Sequence, residues 1–254
     1  MYQNQKNNEE FLTATSKIIS MISVCMATFN GEKYITEQID SILSQLGKED
    51  ELIISDDGST DKTLDFINEL NDSRIKVFKN EGKHGYTHNF ENALKHSSGD
   101  IIFFSDQDDV WLPNKVETIL SYLKKDCYVI SDAYITNEKL EIQGKLSSWR
   151  SYKKGYFNNL YKSIYAGCTS AFTKQIKEYC LPFPKTSLIQ HDTWIGLLCE
   201  LKFNVIYIDE PLIYYRRHDN NASGAGSKST KSLFYMIQYR SVLLFETLKK
   251  VLCS

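Results

Sequence analysis

No uninterrupted apolar run in this 254-residue chain reaches membrane-spanning length. Its first twenty residues, Met1 to Ser20, are polar and rich in Asn, Gln and Glu, without the charged-then-apolar layout of a secretory signal. They are expected to form a loosely ordered extension, with the folded domain starting near Met21. The six cysteines, at 25, 127, 168, 180, 199 and 253, include no C-x-x-C pair and no zinc spacing. They are expected to be reduced, with Cys25, Cys127 and Cys199 buried in apolar segments of a cytoplasmic protein. Neither a G-x-G-x-x-G fingerprint nor a Walker A loop is present, which excludes the standard dinucleotide and P-loop sites. The net charge is only −2, so no global field draws the chain to nucleic acid or to an anionic membrane. Internal repeats and low-complexity tracts are absent too.

What is present is ordinary for a globular protein: 42% hydrophobic and 24% charged residues, with a length suited to one α/β domain or two small ones. Apolar, β-type runs at 21–26, 51–55, 75–78, 101–104 and 127–131 alternate with helix-like segments at 33–46, 61–70, 88–97 and 114–125. That alternation predicts a mostly parallel central sheet flanked by helices. Asp61 is a candidate N-cap, and Pro113 sits in the first turn of the next helix. The second half is less regular, with a helix predicted around 191–202, apolar runs at 204–208 and 211–215, a flexible loop at 219–230 and a terminal helix at about 231–252.

Polar residues gather where the apolar runs end. Residues 101–111 read Ile-Ile-Phe-Phe-Ser-Asp-Gln-Asp-Asp-Val-Trp, a strand that stops at Asp106, Asp108 and Asp109. If the strand continues, Asp106 and Asp108 point the same way and repel. A hard divalent cation would remove that repulsion, and Mg²⁺ or Mn²⁺ commonly uses one or two carboxylates plus substrate phosphates. The plainer reading is an acidic turn that solvates a strand end. The first strand ends in Ala27-Thr28-Phe29-Asn30-Gly31, and the second in Ser55-Asp56-Asp57-Gly58-Ser59-Thr60-Asp61. Ligands of open α/β sheets bind beyond the carboxyl ends of the strands, where Thr28 and Asn30 would then lie. A carboxylate at the second strand end can accept the imide N–H of a uracil or thymine; otherwise these are capping and Asx turns. Further on, His191-Asp192-Thr193-Trp194 opens a helix and offers a base beside a stacking surface, or an N-cap beside a buried Trp. Arg216, Arg217 and His218 follow, suited to phosphate and metal, or to a solvated basic turn.

Taken together, these segments resemble the family 2 glycosyltransferases, inverting enzymes of GT-A fold that use nucleotide-diphosphate sugars. The matching stretches are 27–31, 55–61, 106–111, 191–194 and 215–218, in the family's order and spanning about residues 21–221. The last three look most like bacterial rhamnosyltransferase-type members. The resemblance implies a GT-A domain over 21–230. Ala27, Thr28, Asn30 and Asp57 would line the nucleotide pocket, with Asn89 nearby. Asp106 and Asp108 would form the D-x-D pair, with Asp106 near the ribose or metal. Asp108 and His218 would ligate Mn²⁺ or Mg²⁺. Asp192 would be the catalytic base, and His191, Trp194, Arg216 and Arg217 would contact sugar or acceptor. Thr193 stands where this subset often has a second Trp, a departure on the acceptor side. The implied donor is a UDP- or dTDP-sugar, and the implied acceptor a glycan or lipid-linked oligosaccharide of bacterial surface-polysaccharide assembly.

Two other readings compete. Asp106-Gln107-Asp108-Asp109-Val110 also matches the opening motif of haloacid-dehalogenase-type phosphatases, whose nucleophile sits on the first core strand. A non-catalytic nucleotide-sugar-binding module is the non-enzyme alternative. A pyrophosphorylase would need a Gly-rich basic loop after the first strand, which is missing. In the terminal segment, 231–254, Leu233, Ile237, Leu244, Leu248 and Val251 share one helical face. That face either packs on the core or a second copy, or makes a peripheral contact with the inner face of the cell membrane.

Overall fold

The computed structural model describes residues 20–124, 126–149, 151–219, 221 and 232–253. The N-terminal extension and most of the 219–230 loop therefore lie outside the described residues. Among the described residues, nine strands form a single sheet: β1 (Ile22–Thr28), β2 (Glu51–Asp56), β3 (Ile75–Lys79), β4 (Ile101–Asp106), β5 (Val110–Trp111), β6 (Cys127–Thr136), β7 (Ile142–Lys145), β8 (Ser170–Thr173) and β9 (Asn204–Arg216). Their order is β3-β2-β1-β4-β8-β6-β9-β5, with β7 paired to β6. The parallel arrangement expected from the alternating pattern holds for β3-β2-β1-β4 and for β6-β9. β8 inserts antiparallel between β4 and β6, and β5 and β7 are also antiparallel, so the second half of the sheet is mixed. The two apolar runs at 204–208 and 211–215 are one strand, β9.

Strand alternation sends successive side chains to opposite faces. Val24, Met26, Leu52, Ile54, Phe103 and Val129 pack into one layer with α1 (Ile35–Leu43), α2 (Thr63–Glu69) and α4 (Lys115–Tyr122). Ile35, Ile39 and Ile42 of α1 recur at helical spacing and are fully buried there. Cys25, Ile53, Ile102, Phe104, Tyr128 and Ile130 pack into the other layer with α3 (Tyr86–His96), α6 (Lys174–Cys180), α7 (His191–Lys202) and α8 (Leu233–Leu252). A short helix, α5 (Tyr156–Tyr161), contacts α7 and α8. Both faces of the central strands are covered, which is why they read as near-continuous apolar runs. Five cysteines are free and buried, and Cys253 is exposed.

At the amino ends of the strands, Glu51 is buried and accepts hydrogen bonds from Ser23 Oγ (2.6 Å), Ser98 N (2.7 Å) and Lys76 Nζ (2.7 Å). Burial alone would raise its pKa, but these donors outweigh it and hold it at about 2, below the ordinary 4.5. A depressed carboxyl contributes stability that is complete above about pH 4.5 and is lost as the pH falls towards about 2. At about 1.4 kcal/mol per pH unit the contribution is on the order of 3 kcal/mol. Glu51→Gln should lower stability at neutral pH and flatten the acid limb of the stability curve. Identical acid sensitivity in both proteins would contradict this.

Candidate active site at the carboxyl ends of the strands

From β1 the chain builds outward through β2 and β3, then returns to place β4 on the other side of β1. The carboxyl ends of β1 and β4 therefore flank a topological switch point, where ligands of open α/β sheets bind. Register brings Ala27 beside Asp106 and Thr28 beside Asp56.

The strand-end loops are tied to one another. Asn30, at φ 48°, accepts a hydrogen bond from Thr60 N through its side chain (2.8 Å), and its own N–H donates to Ser59 Oγ (2.9 Å). Asp56 accepts from Gly58 N and Ser59 N, and from Thr28 Oγ1 at 3.2 Å. Asp61 accepts from Thr63 N at 3.0 Å, which stabilises the start of α2. Asp57 holds the 80–85 loop: its Oδ1 accepts from Asn80 (2.6 Å) and meets His84 Nδ1 (3.1 Å), and its Oδ2 accepts from Gly85 N (2.7 Å). Two of the roughly four acceptor directions of a carboxylate thus go to Oδ1, and Oδ2 keeps capacity for one more donor. Asn89 is buried and donates to Thr28 O (3.0 Å), while its Oδ1 has no hydrogen-bond partner. Gln107, which the sequence did not single out, clamps β1 to β4 by accepting from Phe29 N (2.9 Å) and donating to Phe29 O (3.0 Å).

The acidic loop departs from the expected extended geometry. The chain bends at Gln107 and Asp108, so Asp106 and Asp108 are not successive same-side residues of one strand. Asp109 turns inward, fully buried, with Oδ1 accepting from Arg216 N (3.1 Å). Asp108 Oδ2 lies 2.8 Å from His218 Nε2 and accepts from Asn221 Nδ2 at 3.2 Å. Burial pushes the Asp106 carboxyl up to about 7, with further contributions from the Asp108 and Asp192 charges. Among the described residues, donor atoms of Asp106, Asp109 and Cys168 lie within 4.8 Å of one another. Lys115 completes this inner cluster: it is fully buried, donates to Cys168 O at 2.6 Å and lies over the Trp111 ring. Burial lowers its pKa to about 8. No spacing in the sequence marks Lys115 or Cys168 as partners of the acidic loop.

Asp192 stands in the first turn of α7, with Oδ1 accepting from Thr193 N (2.6 Å). Although 86 residues from Asp106 in the chain, it is close enough to help raise that carboxyl. Its neighbours in the motif point elsewhere. His191 is buried, stacked on Phe90 at 4.1 Å and edge-on to Phe104, and burial lowers its pKa. Gly167 makes room for it, since a Cβ there would meet Nε2 at 2.5 Å. Trp194 is buried too, with its indole N–H donating to Cys180 O at 3.0 Å. The expected base-plus-stacking surface is therefore corrected. On a helix, positions 191, 194, 195 and 198 share a face, and here that face is core, while Asp192 lies about 100° away.

The two arginines also separate. Arg216 is buried: Nε donates to Asp108 O (2.9 Å), Nη1 to Glu138 O (2.9 Å), Nη2 to Glu37, and the guanidinium stacks over Tyr34. It positions the acidic loop instead of presenting a free cation to a substrate. Arg217 has a buried Nη1 without a hydrogen-bond partner.

The model of glycosyl transferase family 2 matches residues 23–177. The chain belongs to glycosyltransferase family 2. It is 30% identical to the dTDP-rhamnosyl transferase RfbG of Shigella flexneri, covering 79% of this chain and 74% of that protein. It is 29% identical to WfgD of Escherichia coli, named as a UDP-Glc:alpha-D-GlcNAc-diphosphoundecaprenol beta-1,3-glucosyltransferase, covering 83% of each. In fold it is similar to residues 1–349 of S. aureus TarS, solved with UDP-GlcNAc, at a TM-score of 0.65, 21% identity, 89% of this chain and 66% of that one. A family 2 glycosyltransferase of GT-A fold is thus an enzyme, and the phosphatase and pyrophosphorylase readings fall. The phosphatase reading fails on topology as well, because its motif would lie on the fourth strand.

Proposed function

We propose that this enzyme moves a sugar from a UDP- or dTDP-sugar to a hydroxyl of a glycan on a lipid carrier, with inversion, in bacterial surface-polysaccharide assembly. The donor classes and the lipid-linked acceptor are those named for the two relatives above. The observation that carries the reading is that Asp192, from α7, and Asp108 both lie close enough to Asp106, at the end of β4, to help raise its carboxyl.

The residues present fit a divalent cation. Asp108 and His218 already meet at 2.8 Å, and Asp106 carries a carboxyl raised partly by its acidic neighbours. A mixed imidazole–carboxylate set suits Mn²⁺ better than Mg²⁺, whose sites are built from oxygen. When bound, the ion would neutralise charge on the diphosphate and on the departing nucleotide. The chain's own groups do the rest. Thr28, Asn30, Asp57 and Asn89 frame the nucleotide, with Asp57 Oδ2 as the acceptor for the base N–H. Asp192 takes the proton of the acceptor hydroxyl as that oxygen attacks the anomeric carbon from the face opposite the leaving group. Arg217 is the arginine with side-chain capacity for phosphate. Chelation should abolish transfer, and Mn²⁺ should restore it more fully than Mg²⁺. Full transfer after exhaustive chelation would sink the metal assignment while leaving Asp192 as base.

A further inference from the structure

Helix α8 carries two apolar faces. Leu243 and Thr247 are buried, and Tyr239 and Val242 pack inward beside α7. On the other side, Leu233, Phe234, Ile237, Phe245, Leu248 and Leu252 are all exposed, Phe234 at 77% and Leu252 at 83%. At about 100° per residue these six fall within an arc of about 120°, along a helix about 30 Å long. The face predicted from the sequence was Leu233, Ile237, Leu244, Leu248 and Val251. The structure withdraws Leu244 and Val251 into the core contact and adds Phe234, Phe245 and Leu252 to the exposed side.

The stripe does not end at α8. Arg240 donates to Tyr161 O (2.8 Å) and lies over the Tyr161 ring, while Tyr156 OH meets Thr247 Oγ1 at 2.6 Å. These contacts set α5 along the edge of the exposed arc, where Phe157 is 78% exposed and Tyr161 is exposed as well. The flanks are cationic. Lys153, Lys154 and Lys162 are exposed around α5, Arg240 lies at one margin of the arc and exposed Lys249 at the other. The only acid on α8, Glu246, points away from the arc. Between α5 and the segment before it is a cavity of about 330 Å³, lined by Lys153, Asn158, Tyr161 and Lys162 among others.

We infer that this face docks on an anionic lipid bilayer, with the α8 stripe, Phe157 and Tyr161 entering the interface and the lysines meeting lipid phosphates. The choice of occupant follows from charge. A second copy paired face to face would bring lysine flanks against lysine flanks, whereas anionic headgroups complement them. No described helix is long and apolar enough to cross a membrane, so the contact is peripheral. On its inner side α8 places Tyr239 beside Thr193 and Asp192. Docking would hold the proposed base next to the bilayer surface, where a lipid-linked acceptor lies. Only that last consequence rests on the transfer reading.

The test is co-sedimentation of the full chain with vesicles of phosphatidylcholine alone or with added phosphatidylglycerol. Binding should need phosphatidylglycerol and weaken with salt. The triple variant Phe157→Ser, Phe234→Ser, Phe245→Ser should bind at least about tenfold more weakly, and Lys153→Gln, Lys154→Gln, Lys162→Gln should remove the phosphatidylglycerol preference. Both variants should melt as the wild type does, because every altered side chain is exposed. Equal pelleting of wild type and triple variant would overturn the inference. So would a concentration-dependent dimer, seen without lipid, that the phenylalanine substitutions dissolve.

Discussion

Asp192→Asn should lose transfer by about 100- to 10,000-fold while binding the donor nucleotide as the wild type does. The substitution keeps the shape and the hydrogen bond from Thr193 N, which an amide oxygen accepts as well as a carboxylate does. It removes the group that takes the proton. Because Asp192 is at the start of α7, losing its charge also forgoes a favourable dipole interaction of about 0.3–1 kcal/mol, so a small drop in melting temperature is expected. The split between kinetics and binding identifies the role. A rise in KM with kcat unchanged would make Asp192 an acceptor-binding residue, and unchanged turnover would remove it from the chemistry.

Arg216→Ala should destabilise the fold by about 2–4 kcal/mol and weaken nucleotide binding together. Glu37 is half exposed, so its ion pair with Arg216 contributes little. The larger cost is the loss of donors to the carbonyls of Asp108 and Glu138 and of the packing against Tyr34. Arg216→Lys should recover only part, since a single ammonium cannot reproduce a fork that spans both carbonyls. Urea denaturation with and without nucleotide separates the two effects. A loss below about 0.5 kcal/mol with normal nucleotide affinity would show that the acidic loop holds its shape without this side chain.

How much of this was legible depends on what held each residue in place. β1, β2, β4 and the start of β6 were readable because strands buried on both faces show as apolar runs ending in polar turns. β8, with the sequence Ser-Ala-Phe-Thr, and the short α5 and α6 carry too few residues for a period to emerge, and tertiary packing fixes them. Motif order located the acidic loop, the 191–194 helix start and the Arg-Arg-His segment. It could not say which way each residue points. Asp109 looked like one more surface carboxylate and is buried. Arg216 and Arg217 are neighbours, yet Arg216 closes β9 and donates to the acidic loop, while Arg217 lies beyond the strand. Lys115 reads as a solvated helix residue because nothing local announces the buried acids it faces.

The most direct measurement is thermal melting with UDP, dTDP, GDP and CDP, each with and without Mn²⁺, on the wild type and on Asp108→Ala. A ligand that prefers the folded state raises the melting temperature. The account predicts a Mn²⁺-dependent rise with UDP or dTDP that Asp108→Ala abolishes. Equal rises in both proteins, or a rise only with GDP or CDP, would contradict it.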